Sequence, residues 1–142
     1  MSRIRLLQVK SIDLGLPEEH ILTVTEWCEP TPLPFAPKPV VGVASIQGRM
    51  FTVVDVGWVL DLKTNLQGDR MIVALHGDEQ LALAVNSAKH SVEIDESQVT
   101  SEAESTLLRG RVQLDGKEVL LLDVEALFAG VIRGKERRRR RL

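Results

Sequence analysis

The side chains able to do chemistry in this 142-residue chain are scattered, and they form no catalytic or metal-binding pattern. Its three histidines, His20, His76 and His90, lie far apart and lack the HxH or HExxH spacing that gathers metal ligands on one face. The chain also lacks GxSxG, GxGxxG and P-loop motifs. We expect the single cysteine, Cys28, to be a small core residue. The sequence therefore predicts no enzyme activity, metal or cofactor, and favours a protein that acts by binding.

Two aspartates, Asp55 and Asp123, are better explained by structure than by catalysis. Each follows an apolar run and precedes a short helical pattern, VGWVL or VEALF. A carboxylate at that position accepts hydrogen bonds from the free amides of the first helical turn. Because neither has a histidine, cysteine or second carboxylate at a useful spacing, we predict two helix N-caps.

The C-terminal end is the other charged feature with binding potential. It carries a run of five arginines, Arg137, Arg138, Arg139, Arg140 and Arg141. From Arg133 onward the net charge is +6, whereas the eleven basic and nineteen acidic residues upstream give −8. Since a block of like charges does not pack, we expect residues 1–132 to form the domain and residues 133–142 a disordered tail. Such a tail could contact an anionic membrane at about 1 kcal/mol per charge, contact nucleic acid, or only solubilise the chain.

Length and cysteine usage favour one cytoplasmic domain. A chain of 142 residues is long enough to bury roughly two-thirds of its unfolded surface. No apolar run approaches the roughly 20 residues that span a bilayer. One cysteine and no charged-then-apolar leader indicate a soluble protein of the reducing cytoplasm.

An internal repeat organises the elements that must position any binding site. The segment GVASIQGRMFTVVDVGWVL, which begins at Gly42, returns as GRVQLDGKEVLLLDVEALF from Gly110, a constant offset of 68 residues. Each copy predicts a strand, a turn at Gly48 or Gly116 where glycine takes a positive φ, an apolar return strand and a short helix. The chain is therefore expected to consist of two similar halves.

Short apolar or alternating segments supply the other strands. These are expected at Ile4 to Val9, Ile12 to Leu16, Ile21 to Trp27, Met71 to Leu75, Leu81 to Val85 and Val92 to Ile94. The segment from Glu29 to Pro39 holds five of the six prolines and predicts a stiff surface connector. Polar loops are expected at 62–69 and 95–105. Strands this short and evenly spaced predict a mainly β fold of closed or nearly closed barrels.

Several motifs occur in an informative order. They are LGLP from Leu14, VTEW from Val24, LPFAP from Leu33, GVASIQG from Gly42, FTVVDV from Phe51, LALAVN from Leu81 and LLLDVEALF from Leu120. Together they resemble the CheW-like domain of bacterial chemotaxis, over roughly Ile4 to Phe128. The resemblance implies two small five-stranded SH3-like β-barrel subdomains with short helices around a shared apolar core. It also implies a non-enzymatic adapter without cofactor or small-molecule substrate, which couples chemoreceptor cytoplasmic tips to the regulatory domain of a CheA-type histidine kinase.

The same resemblance implies two binding surfaces. The receptor-facing groove would contain Val24, Glu26, Gln47, Gly48 and Val85, and the kinase-facing surface Val43, Val53 and Val54. Gln47 stands where the family usually has an arginine that pairs with the residue at Glu26. A neutral amide can still hydrogen-bond that carboxylate, without the strength of a charge-assisted contact, and Arg49 is the alternative partner.

Three functions remain open from the sequence. The first is the adapter, in an ordinary or a divergent array. The second is a small β-barrel protein that binds nucleic acid or another polyanion through Arg137 to Arg141. The third is a CheW-fold remnant that only modulates or competes within arrays. Removal of Arg133 to Leu142 separates the first two, because it should abolish polyanion binding and spare kinase binding.

Overall fold

The computed structural model describes residues 2–37, 39–60, 68–101 and 107–129, which form eleven strands and short helices. The strands are β1 Ser2–Val9, β2 Ile12–Pro17, β3 Ile21–Glu26, β4 Val40–Ile46, β5 Arg49–Asp55, β6 Met71–Leu75, β7 Leu81–Val85, β8 Ser87–Ile94, β9 Thr100–Ser101, β10 Leu108–Leu114 and β11 Lys117–Leu122. The α-helices are α1, Val56–Val59, and α2, residues 124–129, and two 3-10 turns span Glu18–His20 and Glu96–Gln98. Within these ranges no helix is long and apolar enough to cross a membrane.

Every predicted strand is present, with shifted ends in several cases. The largest difference is at β8, which begins at Ser87 rather than at Val92. The loop predicted at 95–105 contains a 3-10 turn and the short strand β9 where it is described. The loop predicted at 62–69 lies mostly outside the described residues, and the tail predicted at 133–142 lies entirely outside them.

The strands form two sheets, which confirms a mainly β fold. Sheet A has six strands in the order β8-β1-β2-β11-β10-β9, and sheet B has five in the order β3-β6-β7-β5-β4. Neighbours are antiparallel except for the parallel pairs β2 with β11 and β5 with β7. The expected barrels do not close by hydrogen bonding among the described strands, since no pairing joins β8 to β9 or β3 to β4. Each sheet therefore keeps two edges.

The internal repeat extends through the whole fold and exchanges hairpins between the halves. At the same 68-residue offset, β1 and β2 correspond to β6 and β7, β3 to the end of β8, and β4 and β5 to β10 and β11. The β1–β2 hairpin of the first half pairs with strands of the second half, and the β6–β7 hairpin of the second pairs with strands of the first. Neither half can complete its sheet alone, so the two fold as one unit.

A shared apolar cluster connects the sheets. It includes Leu7 and Leu14 from sheet A and Phe51 and Ile72 from sheet B, each with at most 1% of its surface exposed. A smaller cluster fills sheet A and consists of Ile4, Ile94, Val112, Val119 and Leu121. Burial of one such side chain contributes about 1.5–3 kcal/mol. The shared cluster is therefore the main force that holds the two sheets in fixed relation.

Both repeat turns have the conformation that their glycines predict. Gln47 and Gly48 have φ values of 52° and 77°, and Asp115 and Gly116 have 51° and 78°. Positive φ at both central residues defines the type I′ turn, whose twist matches that of the hairpin strands.

Both predicted helix caps are confirmed. Oδ1 of Asp55 accepts a hydrogen bond from the Gly57 amide at 2.8 Å, and Asp55 is almost completely buried. Oδ1 of Asp123 accepts one from the Ala126 amide at 3.1 Å. Each carboxylate satisfies a free amide at the start of a helix, which is a structural role.

The proline-rich connector runs over the surface, as predicted, and its course exposes the cysteine. The chain leaves sheet B at Glu26, so Cys28 lies outside the core. The prediction of a buried Cys28 is therefore wrong. Further along, the Thr31 amide donates to the Val43 carbonyl at 2.8 Å, and the Val43 amide donates to the Thr31 carbonyl at 2.9 Å. The connector thus covers part of the edge strand β4.

The first glycine of each repeat permits this edge covering. A Cβ on Gly42 would lie 2.3 Å from the Thr31 carbonyl oxygen, and one on Gly110 would lie 2.6 Å from the Thr100 carbonyl oxygen. Thr100 belongs to β9, which covers β10 as Thr31 covers β4. The repeated glycine is therefore required by the close approach of a neighbouring backbone.

Gly42→Ala should destabilise the fold by about 1–3 kcal/mol, because the added Cβ must displace the Thr31 backbone and break its two hydrogen bonds. Urea unfolding followed by circular dichroism measures this change. Ser45→Ala, at an exposed position of the same strand, is the control and should change stability by less than about 0.5 kcal/mol. Equal stability of the two variants would contradict the close-approach argument.

Candidate functional site

A cleft of about 320 Å³ lies between β3 and β4, the two edges of sheet B. Its walls are formed by β3 from Thr23 to Glu26, by Cys28, by the last two residues of β4 and by Gln47 in the turn that follows. Val24, Glu26 and Gln47, three residues predicted for the receptor-facing groove, are thus brought together. We call this space the β3–β4 cleft.

The alternation of β3 and the type I′ turn give these three side chains their positions. Val24 is half-buried and packs against the shared apolar cluster, whereas Glu26 at the end of the strand is exposed. Gln47 is the first central residue of the turn that ends β4, so it lies at the mouth of the cleft. The cleft therefore combines an apolar floor with a carboxylate and an amide at its rim.

The expected polar contact inside the cleft is not formed. Among the described residues, the Glu26 carboxylate makes no hydrogen bond and no ion pair, either with Gln47 or with Arg49. The Glu26 carboxylate consequently borders the cleft without an ion-pair partner in the part of the chain that the structure describes.

Two other groove residues have different positions. Gly48 is exposed in the turn beside Gln47, and a side chain there would have open space around it. Val85 is fully buried at the end of β7, opposite Met71, which in turn lies opposite Glu26. Val85 therefore cannot offer its side chain to a partner and instead supports the strands behind the cleft.

The predicted kinase-facing residues also divide into surface and core. Val43 is half-buried on β4, opposite Thr52. Val53 and Val54 have no exposed surface, because β5 lies between β4 and β7 and both valines belong to the shared cluster. Direct contact by these two side chains is therefore excluded in this fold. Met50, with 55% of its surface exposed on the same strand, is the apolar surface residue that the sequence reasoning missed.

A second polar cluster anchors the chain where it leaves β3. The Trp27 indole Nε1 donates to the Glu29 carboxylate at 3.0 Å, and the Arg70 guanidinium carbon lies 4.2 Å from the centre of the Trp27 ring. A cation over an indole contributes about 0.5–1 kcal/mol at an exposed site. The sequence reasoning missed Arg70, because it lies between a predicted loop and a predicted strand.

The repeat places another cleft on sheet A. Its volume is about 240 Å³, and its lining includes Val92, Leu114 and Asp115, which lie 68 residues after Val24, Ile46 and Gln47. The rest of its described lining is mixed, with apolar Leu6 and Val119 and with polar or charged Asp13, Lys89, His90 and Lys117. The repeat was the sequence signal that could have predicted this second cleft.

A larger cavity, of about 480 Å³, holds a structural ion pair. Glu96 receives two hydrogen bonds from the Arg109 guanidinium, at 3.1 and 3.3 Å, and one from the Ser2 hydroxyl. The Ser2 hydrogen bond and then the Arg109 contacts lower the pKa of the Glu96 carboxyl. These contacts join the 3-10 turn after β8 to β1 and β10, which is a structural role.

Two other kinds of site considered from the sequence are a metal site and the basic tail. No three His, Cys, Asp and Glu side chains in the described ranges are grouped so that they could hold a metal ion. The arginines of the predicted polyanion site, Arg137 to Arg141, lie outside these ranges.

Comparison with known proteins identifies the family. The family model described as the CheW-like domain matches residues 4–131. A chemotaxis protein CheW of Rhizobium meliloti (strain 1021) is 25% identical over 120 residues, which cover 77% of each chain. The crystal structure of the scaffolding protein TtCheW from Thermoanaerobacter tengcongensis matches with a TM-score of 0.78 at 17% identity, over 86% of this chain and 88% of that chain. The chain therefore belongs to the CheW-like domain family.

That membership makes the chain a chemotaxis coupling adapter or scaffold, and the family is non-enzymatic. The fold agrees, since the solved scaffold structure matches over most of this chain. These matches give no support to the alternative of nucleic-acid binding.

Glu96→Gln should lower the free energy of unfolding at neutral pH relative to wild type, and this difference should disappear in acid. A carboxyl whose pKa is lowered by folding stabilises the protein above its ordinary pKa of 4.5 and loses that contribution as the pH falls through the lower folded value. Urea unfolding of both proteins from pH 7 to pH 3 measures the difference. Glu93→Gln, an exposed change on β8, is the control. A deficit for Glu96→Gln that did not change with pH would contradict the assigned ion pair.

Proposed function

We propose that this protein is a cytoplasmic, non-enzymatic adapter that couples chemoreceptor cytoplasmic tips to the regulatory domain of a CheA-type histidine kinase. Family membership supports this role. The structural observation that carries the proposal is the β3–β4 cleft, which brings Val24, Glu26 and Gln47 to one concave surface. We assign the receptor tip to this cleft.

The kinase-facing surface is assigned to the outward side of the β4–β5 hairpin. Val43 and Thr52 lie opposite each other there, and the exposed Met50 extends the apolar strip. Val53 and Val54 support this surface from the core. A cleft and a strip of this size are only parts of an interface, because stable protein interfaces bury about 800 Å² per partner.

Strand β4 connects the two surfaces physically. Its last residues line the cleft, and its middle carries Val43 on the outward side. The strand is fixed by β5 on one side and partly by the connector on the other. A receptor in the cleft and a kinase on the hairpin are thus held in a fixed relation, so a receptor shift can change the population of active kinase.

Val24→Glu should weaken receptor-tip binding at least about tenfold and leave kinase-domain binding unchanged, because it replaces the apolar contact on the cleft floor with a carboxylate that must lose water on binding. Titration calorimetry with each isolated partner measures both affinities. Val24→Thr keeps the shape of the side chain and is the matched control. Unfolding in urea shows whether the variant is folded. Equal receptor binding by a folded Val24→Glu and by wild type would remove the receptor from this cleft.

Val43→Glu should have the opposite pattern, with kinase-domain binding weakened about tenfold or more and receptor binding retained. The side chain reaches the surface, while its backbone bonds to Thr31 remain available to any residue. Val43→Thr serves as control. Loss of receptor binding alone would place the receptor, rather than the kinase, on the hairpin.

A further inference from the structure

The β3–β4 cleft places a carboxylate beside an apolar floor. Among the described residues that line it, Glu26 is the only charged one, and the other polar groups are hydroxyls, one thiol and the Gln47 amide. The floor is apolar, through Val24 and Ile46. The cleft therefore presents one negative charge next to an apolar surface.

No cation among the described residues forms an ion pair with the Glu26 carboxylate. Arg70 is held over the Trp27 ring, and within the described ranges neither it nor Arg49 forms an ion pair with Glu26. Gln47, at the opposite wall, is neutral and makes no hydrogen bond to the carboxylate in those ranges. In the free protein, water solvates Glu26, which is exposed.

Binding changes the solvation of Glu26, because an occupant of the cleft removes water from its carboxylate. A desolvated carboxylate without a partner is strongly unfavourable, whereas a guanidinium or ammonium restores a charge-assisted hydrogen bond. The geometry thus discriminates against neutral and acidic occupants.

We propose that the β3–β4 cleft selects a partner segment that carries an arginine or lysine next to an aliphatic side chain. The cation pairs with Glu26, and the aliphatic group contacts Val24 and Ile46. This inference rests on the proposed function for the identity of the partner, since it names the chemistry of the receptor segment that enters the cleft. Glu26 is then the residue that determines specificity.

Two capped tripeptides test the cleft itself: Leu-Arg-Leu, and Leu-citrulline-Leu, which has nearly the same shape without the charge. Each is titrated into the ¹⁵N-labelled full chain while the amide signals of Thr25 and Gln47 are followed. We expect the arginine peptide to bind at least about threefold more tightly, and this preference to vanish in Glu26→Gln. Glu79→Gln, which makes the same charge change at an exposed position of the β6–β7 turn, is the control and should retain the preference for the arginine peptide. Equal affinity of the two peptides for wild type would overturn the inference.

Calorimetry with the receptor tip provides the second arm. Glu26→Gln should weaken binding about tenfold at low salt and less at high salt, since screening reduces the contribution of the ion pair. Gln47→Arg should weaken it as well, because it supplies Glu26 with a cation from its own chain. If wild type binds the receptor tip and both variants bind it with the same affinity as wild type, the inference is overturned and the proposed function stays intact. Selective binding of the arginine peptide without receptor-tip binding would overturn the proposed function and support the cleft chemistry.

Discussion

The parallel pairing of strands from different halves of the chain is the constraint on which the rest of this structure depends. β5 pairs with β7, and β11 pairs with β2, so each sheet is completed by a hairpin from the other half. The shared apolar cluster forms because the exchange brings apolar strands of both halves together. Neither sheet has a complete set of strands without this exchange. For a scaffold, the consequence is that the two halves cannot move apart without loss of both sheets.

The same arrangement produces the proposed binding surfaces. Because the exchanged hairpin occupies the centre of sheet B, β3 and β4 become its two edges and border the β3–β4 cleft. Open edges invite unwanted strand pairing, and the fold limits this at β4 and β10 by covering them with Thr31 and with β9. The repeated glycines Gly42 and Gly110 make the room for these covers. The fold thus protects its edges locally while a concave site remains open between β3 and β4.

Much of the fold could be predicted because its signals are local. Alternating and apolar runs marked the strands, the turn glycines marked both hairpins, and Asp55 and Asp123 capped the helices as expected. The 68-residue repeat also predicted two related halves, although it did not show that they exchange hairpins. The expected barrels, however, do not close among the described strands. The other errors concern burial. Cys28 is exposed and Val53 is buried, and burial depends on which segments cover a residue rather than on its type.

The sequence by itself determined the strands, turns, caps and family of this protein, since each depends on residues close together in the chain or on motifs in order. The resemblance also named Val24, Glu26 and Gln47 as a site, and the fold does place them in one cleft. Only the tertiary structure decided that Val85 supports this cleft from the core and that the Glu26 carboxylate has no partner within the described chain. The physical reason is that burial and charge pairing depend on distances between segments, which are set when the exchanged hairpins pack together.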